Sequence, residues 1–412
     1  MKSFLYICRR NKNIKVMIFE KYFKGDSLEL NMDYVSTINE LMELKNCQQS
    51  EKWHKEGDAW THTLNCIHVA YKLIEKFPYW NTVMTDDDRR IAIMSVLFHD
   101  IGKIKTTEFK NNDWHSYGHD IIGEKLARRI LWNEDFKARE NVCAAIRYHM
   151  ERCGYPKKKF SVQRILQLSY DVNISLLLFV MHCDILGSIP EDKTSINRDI
   201  ALIEAIKKVA TDNHCYNTPY DIYNSYGNSK DFIFNGKIND DTYIGPQKPL
   251  LLVMIGLSGA GKDTFIESFL NDERNQVIIC RDNIRARLGM CKFGEKMVGT
   301  KEQEEKVTEI FNKMFKQAIN EGKDIVINNL NLKKKYREEY KKLLGNNDYY
   351  VFYYYIEAPS LEENSKRHDG QLSIETLKGM IDNFDMPRND EYDQMFIHFS
   401  TEDNKEAKRY TY

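Results

Sequence analysis

Six side chains in the first half of the sequence are of types that bind divalent cations: His62, His99, Asp100, His119, His149 and Asp184. His99 and Asp100 are adjacent, at the end of the apolar run IAIMSVLFH, and Ile101-Gly102-Lys103 follow. A neutral imidazole and a carboxylate beside one point suit a hard or borderline ion. The doublet alone is a weak signal. The order His…His-Asp…His…His…Asp is a stronger one, because six ligands serve two ions that share a bridging carboxylate, and Asp100 is the natural bridge. Two ions so placed activate a water and clamp a phosphate. His115, four residues before His119, is a rival ligand. His54, His68 and His182 read as structural; His182 stands at i,i+2 from Asp184 and points elsewhere.

A second chemistry is written further on. Gly256-Leu257-Ser258-Gly259-Ala260-Gly261-Lys262-Asp263-Thr264 follows the apolar run LLLVMI. Glycines there let backbone N–H groups turn toward anionic oxygens, and a helix from Lys262 adds its positive end. Gly256, Ser258, Gly259, Ala260, Gly261, Lys262, Asp263 and Thr264 are the expected nucleotide contacts, with Lys262 reaching the outer phosphates. The position after the lysine is normally Ser or Thr, whose hydroxyl binds magnesium. Here it is Asp263, which puts the magnesium geometry in question, and Thr264 stands next to take a phosphate contact.

Arg281-Asp282-Asn283-Ile284-Arg285 closes the following short apolar run. Asp282 stands where an acceptor hydroxyl would meet the terminal phosphate and can take its proton. Arg285 can hold a substrate phosphate. The plainer role for Asp282 is a helix cap. Arg367, in Asn364-Ser365-Lys366-Arg367, can close over the triphosphate; its plainer role is a solvated helix charge.

The elements that must position these groups differ between the halves. Eight of the eleven histidines lie between His54 and His182, in a region of helical period with no convincing strand before about residue 230. Asp58 or Thr61 caps a helix whose apolar positions are Leu64, Ile67, Ala70, Tyr71 and Ile74. Further helices are expected at 90–99, 121–130, 141–149, 162–168 and 174–186. The stretch 213–247, dense in Asn, Asp, Tyr, Gly and Pro, reads as a linker or irregular module. After it, strands at 250–255, 276–280, 324–328 and 349–356 alternate with helices, which means a parallel sheet covered on both faces. The expected architecture is multidomain: an N-terminal extension (1–40), an all-α domain (41–212), a linker module (213–247) and an α/β domain with a parallel sheet (248–412).

The first ligand set resembles the HD phosphohydrolase superfamily. The strings AWTHTL around His62, LFHDIGK around His99 and YGHDIIGEKLA around His119 carry the resemblance. It implies that His62, His99, Asp100 and Asp184 hold one metal and that His119, His149 and Asp100 hold a second. It also implies that Lys103 contacts substrate phosphate or assists the leaving group. The second set resembles the polynucleotide kinase family of P-loop phosphotransferases, through the phosphate loop, the RDxxR string, Asn329-Leu330-Asn331 and the lid string NSKR. That resemblance implies that Lys262 and Thr264 bind nucleotide, Asp282 is the base, Arg285 grips the acceptor's phosphate and Arg367 stabilises the transition state. Two positions depart. The strand before the NLN string often carries an acid, where Ile327 and Asn328 stand, and the earlier of two usual lid arginines is Glu363.

In this order the halves resemble the HD–polynucleotide kinase group of RNA end-healing enzymes. The implied partners are RNA or DNA strand ends and ATP or another nucleoside triphosphate with Mg2+, with a functional link to an RNA ligase. Two divalent transition metal ions are implied for the HD part. A nucleotidase fused to a small nucleoside or nucleotide kinase, and a non-catalytic nucleotide-sensing RNA-binding module, are the competing readings.

The 412 residues carry 60 basic against 61 acidic side chains, a net charge of −1. Such a balance argues against a long-tract nucleic-acid binder and fits a reader of ends. Lysine clusters at 157–159 and 333–335 are candidate backbone contacts, or plain solubilising surface. No apolar run approaches the ~20 residues that span a bilayer. Nine cysteines without a CxxC pair suggest free thiols and a cytoplasmic protein.

Overall fold

The computed structural model describes residues 17–154, 161–221, 226–236, 248–269, 275–291, 299–367, 372–399 and 408–409. The lysine cluster 157–159, residues 1–16 and positions 222–225 and 237–247 lie outside the described residues. Contacts divide the chain into two compact units. The first comprises Met1–Gly123, Glu134–His149 and Phe179–Ile200; the second comprises Glu124–Asn133, Met150–Leu178 and Ala201–Tyr412.

In the first unit, helices and their ends carry the ligand-type side chains. Asp58, in extended backbone, accepts from the Thr61 N–H at 2.9 Å and starts the helix Ala59–Lys76, so Asp58 is the cap. Its buried face includes His62, Cys66, Ile67, Ala70, Leu73 and Ile74. Leu64, expected in that face, is exposed: two residues from His62, it points across the helix. A capping box between Thr85 and Asp88 starts the helix Asp86–Phe98, buried from Ala92 to Phe98. On it the buried Arg90 donates to the carbonyls of Ile18, Gly25 and Ser27 and lies 4.6 Å from the Phe23 ring centroid. Carbonyl oxygens and the ring compensate the buried charge, and tie the N-terminal segment to this helix.

His99 follows this helix as its C-cap, and the chain turns through Asp100 to Gly102. A Cβ at Gly102 would stand 1.9 Å from the His119 carbonyl oxygen, so only glycine lets the turn meet the start of the helix His119–Ile130. Between them runs a hairpin that the sequence reading lacks, β1 (Glu108–Lys110) and β2 (Asp113–His115). Three-residue strands are too short to show a period. Their mark is the pair Asn111 and Asn112, at φ 53° and 63°, which turns with the twist of the strands. His149 caps the end of the helix Phe136–Tyr148, and Asp184 lies on the helix Ile174–Gly187.

The second unit holds β3 (Leu250–Ile255), β4 (Gln276–Ile279), β5 (Asp324–Asn328), β6 (Tyr350–Glu357), β7 (Gln394–Phe399) and β8 (Lys408–Arg409). They form one sheet in the order β4-β5-β3-β6-β7-β8; the first five run parallel, and β8 is antiparallel to β7. β3 is buried along most of its length, as a central strand of a doubly covered sheet must be. The sequence reading misses β7, in which only Met395 and Ile397 are buried. The stretch read as irregular contains the helix Tyr226–Asn235. It is anchored by the buried Lys230, whose Nζ donates to the Tyr392 carbonyl at 2.6 Å. Among the described residues no single helix is long and apolar enough to cross a membrane.

Candidate functional site

All six ligand-type side chains of the first unit converge, and all are buried. Asp100 stands between two groups. Its Oδ2 lies 3.4 Å from His99 Nε2 and 3.7 Å from His62 Nε2; His62 Nε2 is in turn 3.0 Å from Asp184 Oδ1. Its Oδ1 lies 3.3 Å from His119 Nε2 and 3.9 Å from His149 Nε2. Within each group the imidazoles face one another. His99 Nε2 is 3.3 Å from His62 Nε2, and His119 Nε2 is 3.1 Å from His149 Nε2. His115 sits on β2, stacked on Tyr117, and is absent from the described ligand groups; His119 is the one that joins them.

The outer ring nitrogens explain the orientation. His99, His119 and His149 each direct Nδ1 to a carbonyl three residues back, of Val96, Ser116 and Ile146, at 2.6–2.7 Å. A carbonyl only accepts, so Nδ1 carries the proton and the Nε2 lone pair faces inward. His62 directs Nδ1 to Glu56 Oε1 at 2.8 Å. Lone pairs of neighbouring rings about 3 Å apart repel unless something positive lies among them. Asp100 Oδ2 is buried, and Lys103 Nζ faces it at 2.6 Å as an ion pair. Ring nitrogens converging from two sides on one shared buried carboxylate are a donor set that fits two divalent cations.

Burial opposes protonation of His62, but Cys66, Asp184 and Glu56 outweigh it and hold its pKa well above the usual range. Without a cation this ring is the charged partner of the acids beside it. The other groups fit a cation pair. Burial opposes ionisation of Asp100, but Lys103 and His99 outweigh it and hold the carboxyl well below its usual range. Burial keeps His119 and His149 neutral, the latter pushed down to about 3 with help from His119 and His99. Lys103 is fixed by Gln49 Oε1 at 2.5 Å.

Two residues escaped the sequence reading. Glu56 accepts from Nδ1 of both His62 and His54 at 2.8 Å, and from the Ile189 N–H at 2.9 Å. Burial opposes its charge, yet the hydrogen bonds from His54 and His62 hold its pKa below the normal value. His54 bonds to Glu56 and stands outside both groups around Asp100. Cys66, one turn after His62, brings its Sγ within 3.4 Å of His62 Nε2, and burial keeps the thiol neutral. A buried carboxylate six residues before a ligand carries no periodic signal. Cys66 does stand at i+4 from His62, a spacing that could have flagged it.

In the second unit the phosphate loop joins β3 to the helix Lys262–Phe269. Gly259 has φ 76°, a conformation that turns the loop and that side chains rarely adopt. Gly256 N donates to the Leu330 carbonyl at 3.2 Å, and Lys262 Nζ donates to the carbonyls of Gly256 and Leu257 at 3.1 and 2.7 Å. Ser258 and Ala260 are buried in the loop, and Asp263 and Thr264 are exposed. Asp263 Oδ1 accepts from Asn328 Nδ2 at 2.6 Å.

The helix Arg281–Arg287 begins at the end of β4, two strand spacings or about 10 Å from β3. Its N-cap position is Cys280, with no side-chain cap, so Asp282 does not serve as one. Burial raises the Cys280 thiol pKa, and the charges of Asp282 and Asp263 add to it; both acids therefore lie within electrostatic reach of one thiol. Arg285 Nη1 pairs with Asp282 Oδ1 at 2.5 Å, while its Nε and Nη2 both bond to Glu304 at 2.8 Å. Glu304, on the helix Lys301–Asn320, was not singled out from sequence. In the lid string the buried Asn364 donates to the Ser258 carbonyl at 3.0 Å and braces the loop. Arg367 lies 3.5 Å from Glu363, at the surface. Of the lysines at 333–335, Lys334 pairs with Asp390 and Lys335 lies over Tyr336.

A model of the HD domain matches residues 59–187, which include all six ligand-type side chains. The chain carries an HD domain. A model of an AAA domain matches residues 251–387, from β3 through the lid string, so this HD domain is joined to a P-loop domain of kinase type. Two solved structures of an RNA repair complex, Pnkp1/Rnl/Hen1, are 21% identical over 30% and 36% of this chain, with TM-scores of 0.26 and 0.29. The matches span 41% and 51% of those chains, about half their length. A sugar kinase from Janibacter sp. is 16% identical over 37% of this chain and 87% of its own, at a TM-score of 0.28. A gluconokinase from Sinorhizobium meliloti is 14% identical over 38% and 86%, at 0.29. No curated protein matches the chain.

Proposed function

We propose that the chain heals nucleic-acid ends: a metal-dependent phosphohydrolase removes a 2′,3′-cyclic or 2′-phosphate, and a P-loop kinase phosphorylates a 5′-hydroxyl. Residues 41–212 and 248–412 are the two functional domains in this reading, and 213–247 joins them. The observation that carries the hydrolytic half is the two-sided seating of Asp100, with an imidazole pair facing each oxygen. Asp100, His62, His99 and Asp184 would hold one divalent cation, and Asp100, His119 and His149 the other. Together such ions supply an activated water and a clamp on phosphate oxygens. Lys103, fixed by Gln49 beside Asp100, is the group to meet the phosphate or its leaving oxygen.

In the kinase half, Lys262 leaves the loop carbonyls and takes up phosphate oxygens, with Thr264 and the loop N–H groups from Gly256 to Gly261 beside it. ATP or another nucleoside triphosphate is the donor, with Mg2+ neutralising phosphate charge. Asp282 accepts the proton as the acceptor hydroxyl oxygen bonds to the γ-phosphorus, and the bond to the β–γ bridging oxygen breaks. Arg285 has three of its five N–H groups committed to Asp282 and Glu304, which sets the plane of the guanidinium and leaves two for an acceptor phosphate. Arg367 closes over the transferring phosphate from the lid.

An RNA with a 5′-hydroxyl and a 2′,3′-cyclic phosphate tests both halves. Asp100→Ala should abolish loss of the terminal phosphate and spare 5′-phosphorylation, and Lys262→Ala should do the reverse. Phosphorylation of free nucleosides but not of oligonucleotides would refute the end-healing assignment. Healed ends are substrates for a strand ligase, so an RNA ligase is the expected functional partner.

A further inference from the structure

Two of the positions at which the phosphate-loop domain departs from the common arrangement meet in space. In most P-loop phosphotransferases a Ser or Thr hydroxyl after the lysine and an acid on a neighbouring strand hold the magnesium of the nucleotide. Here the post-lysine residue is the acid, Asp263, and the strand β5 ends in the neutral Asn328. β5 pairs with β3 in a register that sets Asn328 beside Met254, two residues before the loop. Asn328 Nδ2 then donates to Asp263 Oδ1 at 2.6 Å.

We propose that the carboxylate has changed places: Asp263 is the magnesium ligand of this loop, and Asn328 is the neutral partner that aims it. The pair keeps one negative charge and one neutral polar group, with the charge moved from strand to loop. An amide suits the strand position because it donates to the carboxylate and fixes Oδ1, while Asp263 stays exposed. A carboxylate there would meet Asp263 as a like charge at hydrogen-bond distance, which is unfavourable. Asp263 reaches one bond further from its backbone than a serine hydroxyl, which suits an ion that keeps part of its water shell. The substitution is therefore no mark of a dead site. It predicts that metal and nucleotide bind together through Asp263.

This inference rests on the nucleotide-binding reading, and the test separates the two. The full-length protein is titrated with a non-hydrolysable adenosine triphosphate analogue, with and without Mg2+, by calorimetry. The readout is the gain in analogue affinity that Mg2+ confers, which the HD-domain metals do not enter. The wild type shows that gain. Asp263→Ser loses it by about tenfold or more, while its metal-free affinity rises because a negative charge beside the phosphates is gone; misfolding would not produce that rise. The exchange Asp263→Ser/Asn328→Asp, which rebuilds the common arrangement, recovers most of the gain. A full Mg2+ gain in Asp263→Ser, or an exchange variant no better than the single one, overturns the proposal. A wild type that binds no analogue under either condition sinks the nucleotide reading itself and this inference with it.

Discussion

Glu56 gives the sharpest test of how the proposed metal centre is held. Its carboxylate is buried and accepts from Nδ1 of His62, and that bond aims Nε2 at Asp184 and Asp100. In Glu56→Ala the His62 N–H loses its partner in a place with no solvent access, a cost of about 1–3 kcal/mol. The ring no longer has a fixed tautomer. Loss of such an outer partner costs roughly 10–100-fold in metal affinity, about 1.4–2.7 kcal/mol. The loss should fall on one of two ions, since His119 and His149 take their orientation from Ser116 and Ile146. Glu56→Gln keeps an acceptor for His62 but turns an N–H toward the Ile189 N–H, so it should fall between wild type and alanine. Apo-protein titrated with Mn2+ and assayed for bound metal after dialysis reads both affinity and stoichiometry. A Glu56→Ala variant that retains both ions at wild-type affinity would refute the reasoning that this carboxylate sets the His62 ring.

Three further outcomes follow from packing and charge. Gly102→Ala drives a methyl to 1.9 Å from the His119 carbonyl oxygen; we expect a loss of about 1–3 kcal/mol or more, with metal content falling in parallel, read by thermal melting and bound-metal assay. Asn331 holds a left-handed φ of 50° while its amide donates to the Met254 carbonyl at 2.6 Å and accepts from Tyr340 at 2.7 Å. Asn331→Ala should cost about 1–3 kcal/mol in urea unfolding, and an unchanged midpoint would remove its structural role. Burial opposes ionisation of Asp385, but the hydrogen bonds from Lys125 and the Lys334 N–H hold its pKa below normal. Because the folded value is depressed, the stabilisation is present above the ordinary carboxylate pKa and is lost as pH falls through the folded one. The destabilisation by Asp385→Asn should therefore be full near pH ~7 and shrink below pH ~4; a difference that grows toward acid would contradict it.

What could be read from the sequence was local. The phosphate loop is nine consecutive residues between a strand and a helix, and its neighbours fix its shape. A helix start at Asp58 or Thr61, the helices under His62 and His99, and β3 to β6 follow from periodicity and capping chemistry, and the structure makes Asp58 the cap. The candidate HD ligands were legible only because their order along the chain matched a known pattern; nothing local says that His62 and Asp184, 122 residues apart, will touch. Tertiary packing decided the rest. It seated Glu56 behind His62, clamped Arg285 with Glu304, and joined Asp263 to Asn328 across 65 residues. The physical reason is range. Caps, turns and amphipathic faces are set by interactions within a few residues, whereas side chains on separate elements meet only when buried faces, and glycines such as Gly102, fix how closely those elements approach.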